Sequence, residues 1–210
     1  HNRVGSDYLD AASDDAISIN VSDPDVYKLA MGRYTASTRV ESDMRWKEYY
    51  SGIRKANILI NHIDVVPFML TYKNAKGETK PLNVTMKAEA RFLRAYFYYK
   101  LVEAYGPVPI VPEMAYDVDA SAESMSLERE TYENCINYIC ENFEKAYEYL
   151  PSSRTSTLVN LPTSGAALAL MGRVRLIEAS PWYNGNEFYA DWKRSDGTNF
   201  MPQVKDESKW

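Results

Sequence analysis

Histidine and cysteine, the side chains that most often bind metals or carry out catalysis, are scarce in this sequence. The 210 residues include two histidines, His1 and His62, and two cysteines, Cys135 and Cys140. A histidine-based zinc site is therefore not expected, and a Ser-His-Asp triad would have to use His62. Because His62 lies near the end of a predicted helix, we expect it to have a structural or solvated role.

The two cysteines lie five residues apart within one predicted helix. At 3.6 residues per turn, side chains with this spacing point roughly 140° apart around the helix axis. Their Cα atoms would then be farther apart than the ~7 Å that a disulfide allows. We therefore expect Cys135 and Cys140 to be free thiols, both buried.

Carboxylates are plentiful, but no pair of them has a spacing that indicates acid-base catalysis. Glu89 and Glu103 lie on one predicted helix without a matched partner, whereas a glycosidase needs two carboxylates that face one cleft. Asp14, Asp15 and Asp43 lack the regular spacing of a calcium-binding loop. No glycine-rich phosphate-binding loop is present. We expect no catalysis, no bound metal and no cofactor.

Charge and hydropathy argue against two further classes of protein. The net charge is −5 and no basic stripe stands out, so a nucleic-acid partner is not expected. The most apolar run, residues 166–177, contains two arginines and is too short to cross a bilayer. The first ten residues do not have the pattern of an export signal, so such a signal would lie upstream.

Hydrophobic spacing predicts helices along most of the chain. Two of them carry an apolar stripe at three-and-four spacing: Trp46, Tyr49, Ile53, Ala56, Ile60 and Ile63 on one, and Tyr132, Ile136, Ile139, Phe143, Ala146 and Leu150 on the other. The predicted segments are Asp25–Ser37, Asp43–Asp64, a helix from Asn83 or Thr85 to Gly106, Leu127–Leu150, and a helix from Thr163 to just before Pro181. Ser126 and Thr163 are candidate N-caps, and Gly106 before Pro107 is typical of a helix end. The connectors, including residues 71–83, are polar and irregular, and we expect no strand ladder. The predicted fold class is all-α.

The predicted helices form two antiparallel pairs, about 43–106 and 127–180, joined by long irregular loops. In the first pair, Ala88, Phe92 and Ala95 have the small–aromatic–small spacing of a degenerate tetratricopeptide repeat. A similar small face in the second pair consists of Gly165, Ala169 and Gly172. Small residues let two helices approach closely while an aromatic ring fills the gap between them. Repeats of this kind usually bind partners or scaffold a larger fold.

Four segments follow one another in the order and form of a known family. They are WKEYYSGIRKANILINHID (46–64), AEARFLRAYFYYKLVEAYGPVPIV (88–111), ETYENCINYICENFEKAYEYLP (130–151) and TSGAALALMGRVRLIEASPWYNG (163–185). Together they resemble the SusD/RagB family of glycan-binding outer-membrane lipoproteins. Members of that family are more than twice this length. Residues 1–210 are therefore interpreted as the N-terminal helical part of a SusD-like protein, without its C-terminal part.

The resemblance implies a cell-surface protein that captures oligosaccharides or other nutrients for a partner. That partner would be a TonB-dependent outer-membrane transporter resembling SusC. The expected location is the outer surface of the outer membrane in Bacteroidota, and the only membrane attachment would be an N-terminal lipid anchor absent from this chain. The helical pattern alone also allows a different function, a tetratricopeptide-like adaptor that binds protein segments and no sugar. A glycosidase is the least favoured alternative.

The aromatic composition agrees with a carbohydrate ligand. Seventeen tyrosines stand against six phenylalanines, and a tyrosine ring can stack on a sugar while its hydroxyl forms a hydrogen bond. Several tyrosines have helical spacing and are expected to fill the core: Tyr96, Tyr98, Tyr99, Tyr132 and Tyr147. The better candidates for sugar contact lie in loops or at helix starts: Tyr34, Trp46, Tyr72, Trp182, Tyr183 and Trp192.

We predict that Trp46 and Tyr72 contact the ligand. Trp46 begins a predicted helix and Tyr72 lies in the connector that returns the chain to the next one, so antiparallel pairing would bring them together. Arg33 and Tyr34 are predicted to add hydrogen bonds at the rim. The alternative for Trp46 is that its ring only fills the core of the repeat.

Overall fold

The structure, a computed structural model, describes residues 3–4, 7–19, 24–35, 37, 45–67, 69–114, 116 and 119–209. The chain divides after Lys47 into two compact units. In the first unit, strand β1 (Arg3–Val4) pairs antiparallel with β2 (Asp7–Tyr8), and a 3-10 turn follows. Helix α1 (Pro24–Ala30) belongs to the same unit.

Helix α1 is shorter than the predicted segment Asp25–Ser37. Gly32 adopts the left-handed conformation, with a φ of 65°, and its amide donates to the carbonyl of Leu29 over 3.1 Å. The amide of Arg33 donates to the carbonyl of Lys28 over 2.7 Å. These two bonds form a Schellman motif, which ends a helix. The predicted end was wrong because Gly32 already supplies the stop signal.

Helix α2 (Trp46–His62) and a 3-10 turn at Ile63–Val65 occupy most of the predicted segment Asp43–Asp64. Asp43 itself lies outside the described residues. The predicted apolar stripe is buried over most of its length, at Ile53, Ala56, Ile60 and Ile63. Burial of this stripe is what fixes the face that α2 turns toward the next helix.

A short hairpin follows, which the sequence analysis missed by expecting no strands. Strand β3 (Thr71–Lys73) pairs antiparallel with β4 (Thr79–Pro81), and Tyr72 lies opposite Lys80. Gly77 adopts a φ of 79° in the connecting loop, a conformation that favours glycine. The strands are only three residues long, which is too short for a clear alternating pattern in the sequence.

Helix α3 (Leu82–Tyr105) packs between α2 and α4. Ala88 and Ala95 are buried, and the ring of Phe92 meets that of Phe143 edge-on with 5.4 Å between centroids. The predicted small–aromatic–small contact is therefore confirmed. The helix ends as predicted at Gly106, whose φ of 67° is accessible to glycine.

Helix α4 (Tyr132–Tyr149) begins five residues later than predicted. Ser126 is therefore not its cap; instead the side chain of Thr131 accepts a hydrogen bond from the amide of Asn134 over 3.2 Å. The preceding segment is held in an extended form, since the amide of Glu130 donates to the carbonyl of Val108 over 3.1 Å. That bond diverts the backbone from helix geometry.

Helix α5 (Ser164–Ala179) is capped by Thr163, as predicted, with the Thr163 side chain accepting from the amide of Ala166. It packs on α4 through buried residues that include Ala167 and Val174. The predicted small face is not part of this contact: Gly165, Ala169 and Gly172 are all exposed. The reason is that α4 lies on the opposite side of the helix.

Helix α4 packs on both α3 and α5, and the predicted all-α class is confirmed. Among the described residues, the strands are limited to the two short ladders β1–β2 and β3–β4. The predicted stripe on α4 lies in the core, with Tyr132, Ile136, Ile139, Phe143, Ala146 and Leu150 all buried. Cys135 and Cys140 are free and buried, as predicted.

Candidate functional site

Arg33 is the last residue of the Schellman motif that ends α1, and Tyr34 follows it. Arg33 is exposed and Tyr34 is half-buried. Because Gly32 fixes the backbone just before them, the two side chains leave the chain from a defined turn. Their contact with a ligand stays a prediction.

Trp46 is the first residue of α2, as predicted, and its side chain is half-buried. Arg45, immediately before it, has a positive φ of 45°, so the chain turns sharply into the helix. Trp46 falls in the same compact unit as Arg33 and Tyr34, whereas Tyr72 falls in the second unit. The pairing of Trp46 with Tyr72 in one ligand-binding surface stays a prediction.

Tyr72 lies in the middle of β3 and is half-buried. The hairpin that carries it is fixed by the buried Asn74, whose side-chain carbonyl accepts from the amide of Glu78 over 2.9 Å. The Asn74 side-chain amide also donates to the carbonyl of Glu148, near the end of α4, over 3.1 Å. The ring of Tyr72 is therefore presented from a backbone that is tied to the helical core.

Two tyrosines hold the proline-rich segment that follows α3, residues 107–113, which we call the proline arm. The hydroxyl of Tyr50 donates to the carbonyl of Pro109 over 2.7 Å, and the amide of Val111 donates to the hydroxyl of Tyr98 over 3.0 Å. Burial raises the pKa of both phenols above their ordinary range, so both stay neutral. These tyrosines are structural.

Two asparagines of α2 bind the far end of the same arm. The side-chain amide of Asn57 donates to the carbonyl of Pro112 over 3.1 Å, and that of Asn61 donates to the carbonyl of Glu113 over 2.6 Å. Prolines lack an N–H and the arm is not part of a sheet, so these carbonyls need side-chain donors. The arm is thus held in one conformation across the α2–α3 layer.

A buried arginine links the arm to the helical core. The Arg94 guanidinium donates to the side-chain carbonyl of Asn57 over 2.9 Å and to that of Asn142 over 2.5 and 3.2 Å. It also forms an ion pair with Glu113 at 2.7 Å and lies over the ring of Tyr138. This cluster joins α2, α3, α4 and the arm at one point, which is a structural task and not a catalytic one.

The carboxylates on α3 are paired with neighbouring residues. Glu89 forms an ion pair with the buried Arg154 at 2.6 Å, and Glu103 bonds to Tyr99 and Lys100. Fourteen residues along a helix separate the two carboxylates by roughly 21 Å. A glycosidase pair lies within ~9.5 Å, so Glu89 and Glu103 are not such a pair.

The remaining aromatic candidates lie after α5. Trp182 and Phe188 are 54% and 79% exposed, and their rings are nearly parallel, with 6.3 Å between centroids. Tyr183 and Trp192 instead stack or pack on Tyr132 and Phe200, with centroid distances of 4.8 and 4.9 Å. Of these four rings, Trp182 and Phe188 are therefore the ones turned to solvent.

Comparison with known proteins identifies the family. The sequence profile of the SusD-like family, described as starch-binding associating with outer membrane, matches residues 1–176. The chain belongs to the SusD-like family. A SusD-like protein of Bacteroides ovatus is 25% identical in an alignment of 179 positions that covers 79% of this chain and 30% of that protein.

Solved SusD-like structures share the fold. A SusD-like protein from Bacteroides fragilis has 28% identity and a TM-score of 0.56, over 72% of this chain and 27% of that one. A laminarin-binding SusD-like protein has 22% identity and a TM-score of 0.62, over 81% and 34%. The chain thus spans about a third or less of the length of these relatives.

Two negative results apply to the described part of this SusD-like chain. No group of three or more histidine, cysteine, aspartate and glutamate side chains is arranged to hold a metal ion there. None of the helices described is both long and apolar enough to span a bilayer. Asp43, one of the acidic residues considered for calcium, is not among those residues.

The cluster around Arg94 was not among the predictions from the sequence. The sequence did contain a signal for it. Asn57 follows the core residue Ala56, and Asn142 precedes the core residue Phe143, so both asparagines lie on the buried side of their helices. A polar side chain on an apolar stripe requires a buried partner. Arg94 on α3 is that partner, but no spacing rule connects three residues on three different helices.

Proposed function

We propose that the protein captures glycans at the outer surface of the outer membrane for a TonB-dependent transporter resembling SusC. The observation that supports this most is the SusD-like match over residues 1–176, with its description as starch-binding in association with the outer membrane. One fold relative is named as laminarin-binding, which supports a glycan as the ligand class. The proposal extends to the whole protein, of which this chain resembles only a part.

The proposed contacts use rings for stacking and polar groups for the rim. Tyr72, on a hairpin anchored by Asn74, offers a half-buried ring whose face can lie on the apolar C–H surface of a pyranose. Trp46 would supply the second ring, and Arg33 and Tyr34 would donate hydrogen bonds to sugar hydroxyls. A hairpin fixed at its loop loses little freedom when the sugar binds, which favours affinity.

Affinity electrophoresis against a panel of soluble polysaccharides, followed by calorimetry with oligosaccharides, tests this function. We expect Trp46→Ala and Tyr72→Ala to weaken binding by roughly 1–3 kcal/mol each, the scale of a buried aromatic or aliphatic side chain. Tyr72→Phe is the matched control, since it keeps the ring and removes only the hydroxyl. Trp182→Ala tests the other exposed candidate ring, after α5.

Each result decides between the candidates. Weaker binding by both alanine variants, with normal melting temperatures and an unaffected Trp182→Ala, supports the proposed surface. If Trp46→Ala instead loses about 3–5 kcal/mol of stability and binds normally, its ring belongs to the repeat core. If no polysaccharide binds to the longest natural form of the protein, the glycan function is wrong and the protein-binding adaptor takes its place.

The proposed location and partner need separate tests. Incorporation of labelled fatty acid into the full-length protein in its own host, with surface exposure to added protease, would support an outer-surface lipoprotein. Co-purification of a TonB-dependent transporter from solubilised outer membranes would support the proposed partner. A protein recovered only from the soluble fraction, without label, would contradict both.

A further inference from the structure

Exposed apolar side chains are concentrated in the segment that joins α2 to β3. Residues 65–70, VVPFML, contain no polar side chain, and we call this segment the apolar loop. Val65, Met69 and Leu70 are 83%, 97% and 64% exposed. Phe68 lies outside the described residues. Neighbouring exposed apolar residues with a polar rim are typical of a surface that contacts a membrane or another protein.

The apolar loop is anchored to the helices at both of its ends. The amide of Val66 donates to the carbonyl of Ile63, in the turn after α2, over 3.2 Å. The amide of Leu82, the first residue of α3, donates to the carbonyl of Leu70 over 2.9 Å. Both bonds join backbone groups, so they fix the position of the loop without covering its side chains.

The charges around the apolar loop differ in sign from those of the rest of the chain. Residues 50–87, from α2 to the first turns of α3, contain six lysines and arginines and two acids, a net charge of +4. The remaining residues therefore carry −9, since the whole chain carries −5. The two acids are each paired within the segment, Asp64 with Lys87 and Glu78 with Lys80. The other four cations of the segment are all exposed: Arg54, Lys55, Lys73 and Lys76.

We propose that the apolar loop inserts into an anionic lipid surface, with the cations of residues 50–87 at the headgroups. Its side chains would pass from water to the boundary between headgroups and acyl chains, where peripheral membrane proteins bury their apolar residues. Lysine and arginine beside such residues add attraction to anionic lipid. The negative charge of the remaining residues is repelled by the same surface, which turns this end of the chain toward it.

Two observations favour lipid over a protein or a sugar as the partner. Val65 and Met69 are 83% and 97% exposed, so they project from the surface, and lipid does not require the complementary shape that a protein interface requires. Tyr72, proposed above for sugar contact, lies on the other face of β3 from the exposed Thr71 and Lys73, because side chains alternate along a strand. The inference rests on the proposed location at the outer membrane but uses other residues than the proposed sugar surface.

Vesicle sedimentation measures this contact. The longest natural form of the protein is purified from the cytosol of an expression host, so that no lipid is attached to it. It is mixed with vesicles of phosphatidylcholine, either alone or with about one third phosphatidylglycerol. We expect binding to the anionic vesicles that weakens as salt is raised.

Aspartate substitutions locate the contact. Val65→Asp and Met69→Asp should each lower the partition coefficient at least about tenfold, since a carboxylate opposes insertion. Val204→Asp is the matched control, because Val204 is 80% exposed and the substitution changes the net charge equally. Away from the lipid surface its charge is screened, so we expect a change of less than about twofold.

A lysine substitution tests the charges. Lys73→Gln should weaken binding to the anionic vesicles by roughly fivefold, the contribution of one lysine near such a surface. Lys145→Gln, on the exposed side of α4, is the matched control and should change binding by less than about twofold.

A fluorescent label distinguishes insertion from attraction by charge alone. Met69→Cys is labelled with a dye whose emission depends on the polarity of its surroundings. Because Cys135 and Cys140 are buried, the new cysteine is the accessible thiol. The emission should rise and shift to the blue when anionic vesicles are added, whereas the same dye on Val204→Cys should not respond.

The proposal is wrong if the protein binds to neither kind of vesicle. It is also wrong if Val65→Asp and Val204→Asp weaken binding equally, because the contact then does not involve the apolar loop. A dye on Met69→Cys that is already shielded from water without vesicles would overturn it too, and would assign the loop to another part of the polypeptide or to a second copy. Oligosaccharide binding is measured without vesicles, so the proposed glycan function stands or fails separately.

Discussion

Replacing Arg94 with methionine tests how the proline arm is held. The Arg94 side chain is 2% exposed, and its guanidinium supplies the donors for two buried carbonyls, those of Asn57 and Asn142. Methionine keeps much of the volume of the aliphatic part of the arginine side chain. It removes three hydrogen bonds, one to Asn57 and two to Asn142. Asn57 and Asn142 would be left with buried acceptors that no longer have this partner.

The expected cost follows from those two acceptors. An unsatisfied buried polar group costs about 1–3 kcal/mol, so two of them destabilise the fold by about 2–6 kcal/mol. The ion pair with Glu113 adds little, because that carboxylate is 53% exposed and therefore screened by solvent. At about 2–4 °C per kcal/mol for a chain of this size, Arg94→Met should lower the melting temperature by roughly 10 °C.

Urea unfolding followed by far-ultraviolet circular dichroism measures this free energy. Glu113→Gln is the matched control: it removes the charge but keeps an acceptor, and we expect a loss below about 1 kcal/mol. The reasoning is refuted if Arg94→Met costs less than 1 kcal/mol, or if Glu113→Gln costs as much as Arg94→Met. In the second case the ion pair, and not the asparagine carbonyls, would dominate the cluster.

Three further predictions follow from the structure. Thr131→Ala, which removes the N-cap of α4, should lower the free energy of unfolding in urea by about 1 kcal/mol. Ser126→Ala should change it by less than about 0.5 kcal/mol, and equal effects of the two substitutions would contradict the assigned cap. Gly52→Ala should cost about 1–3 kcal/mol, since its Cβ would lie 2.5 Å from the ring of Phe97, and an unchanged melting temperature would argue against this packing. Burial raises the pKa of both cysteine thiols from 9.0 to about 11, so their neutral form stabilises the fold below pH 9. This contribution to stability is lost as the pH rises toward 11, and a melting temperature that is constant from pH 8 to 11 would refute the prediction.

The helices and their buried stripes could be predicted because they depend on spacing along a single segment. The stripe of α4 is an example, since all six predicted residues lie in the core. Gly106 also marked the end of α3 correctly, because a glycine followed by proline acts locally. These signals require no knowledge of the rest of the chain.

The errors occur where a distant contact decides the local backbone. Residues 127–131 have helical composition, but the amide of Glu130 donates to Val108, and that bond keeps the segment extended. The hairpin of Tyr72 depends on Asn74 reaching Glu148, 74 residues away. The exposure of Gly172 depends on which side of α5 is covered by α4. No periodicity within a segment contains such information.

Several of the tyrosines have a structural role in the proline arm and the core. The proline arm lies outside any sheet and, apart from the bond between the Glu130 amide and the Val108 carbonyl, side chains donate to its carbonyls in the described residues. Tyr50 and Tyr98 bond to the arm, and the buried Tyr132 stacks with Tyr183 in the core. A high tyrosine content is therefore not by itself an indication of sugar binding. A sugar would have to stack on rings outside these contacts, and Tyr72, which makes no such bond among the described residues, is the first of them to test.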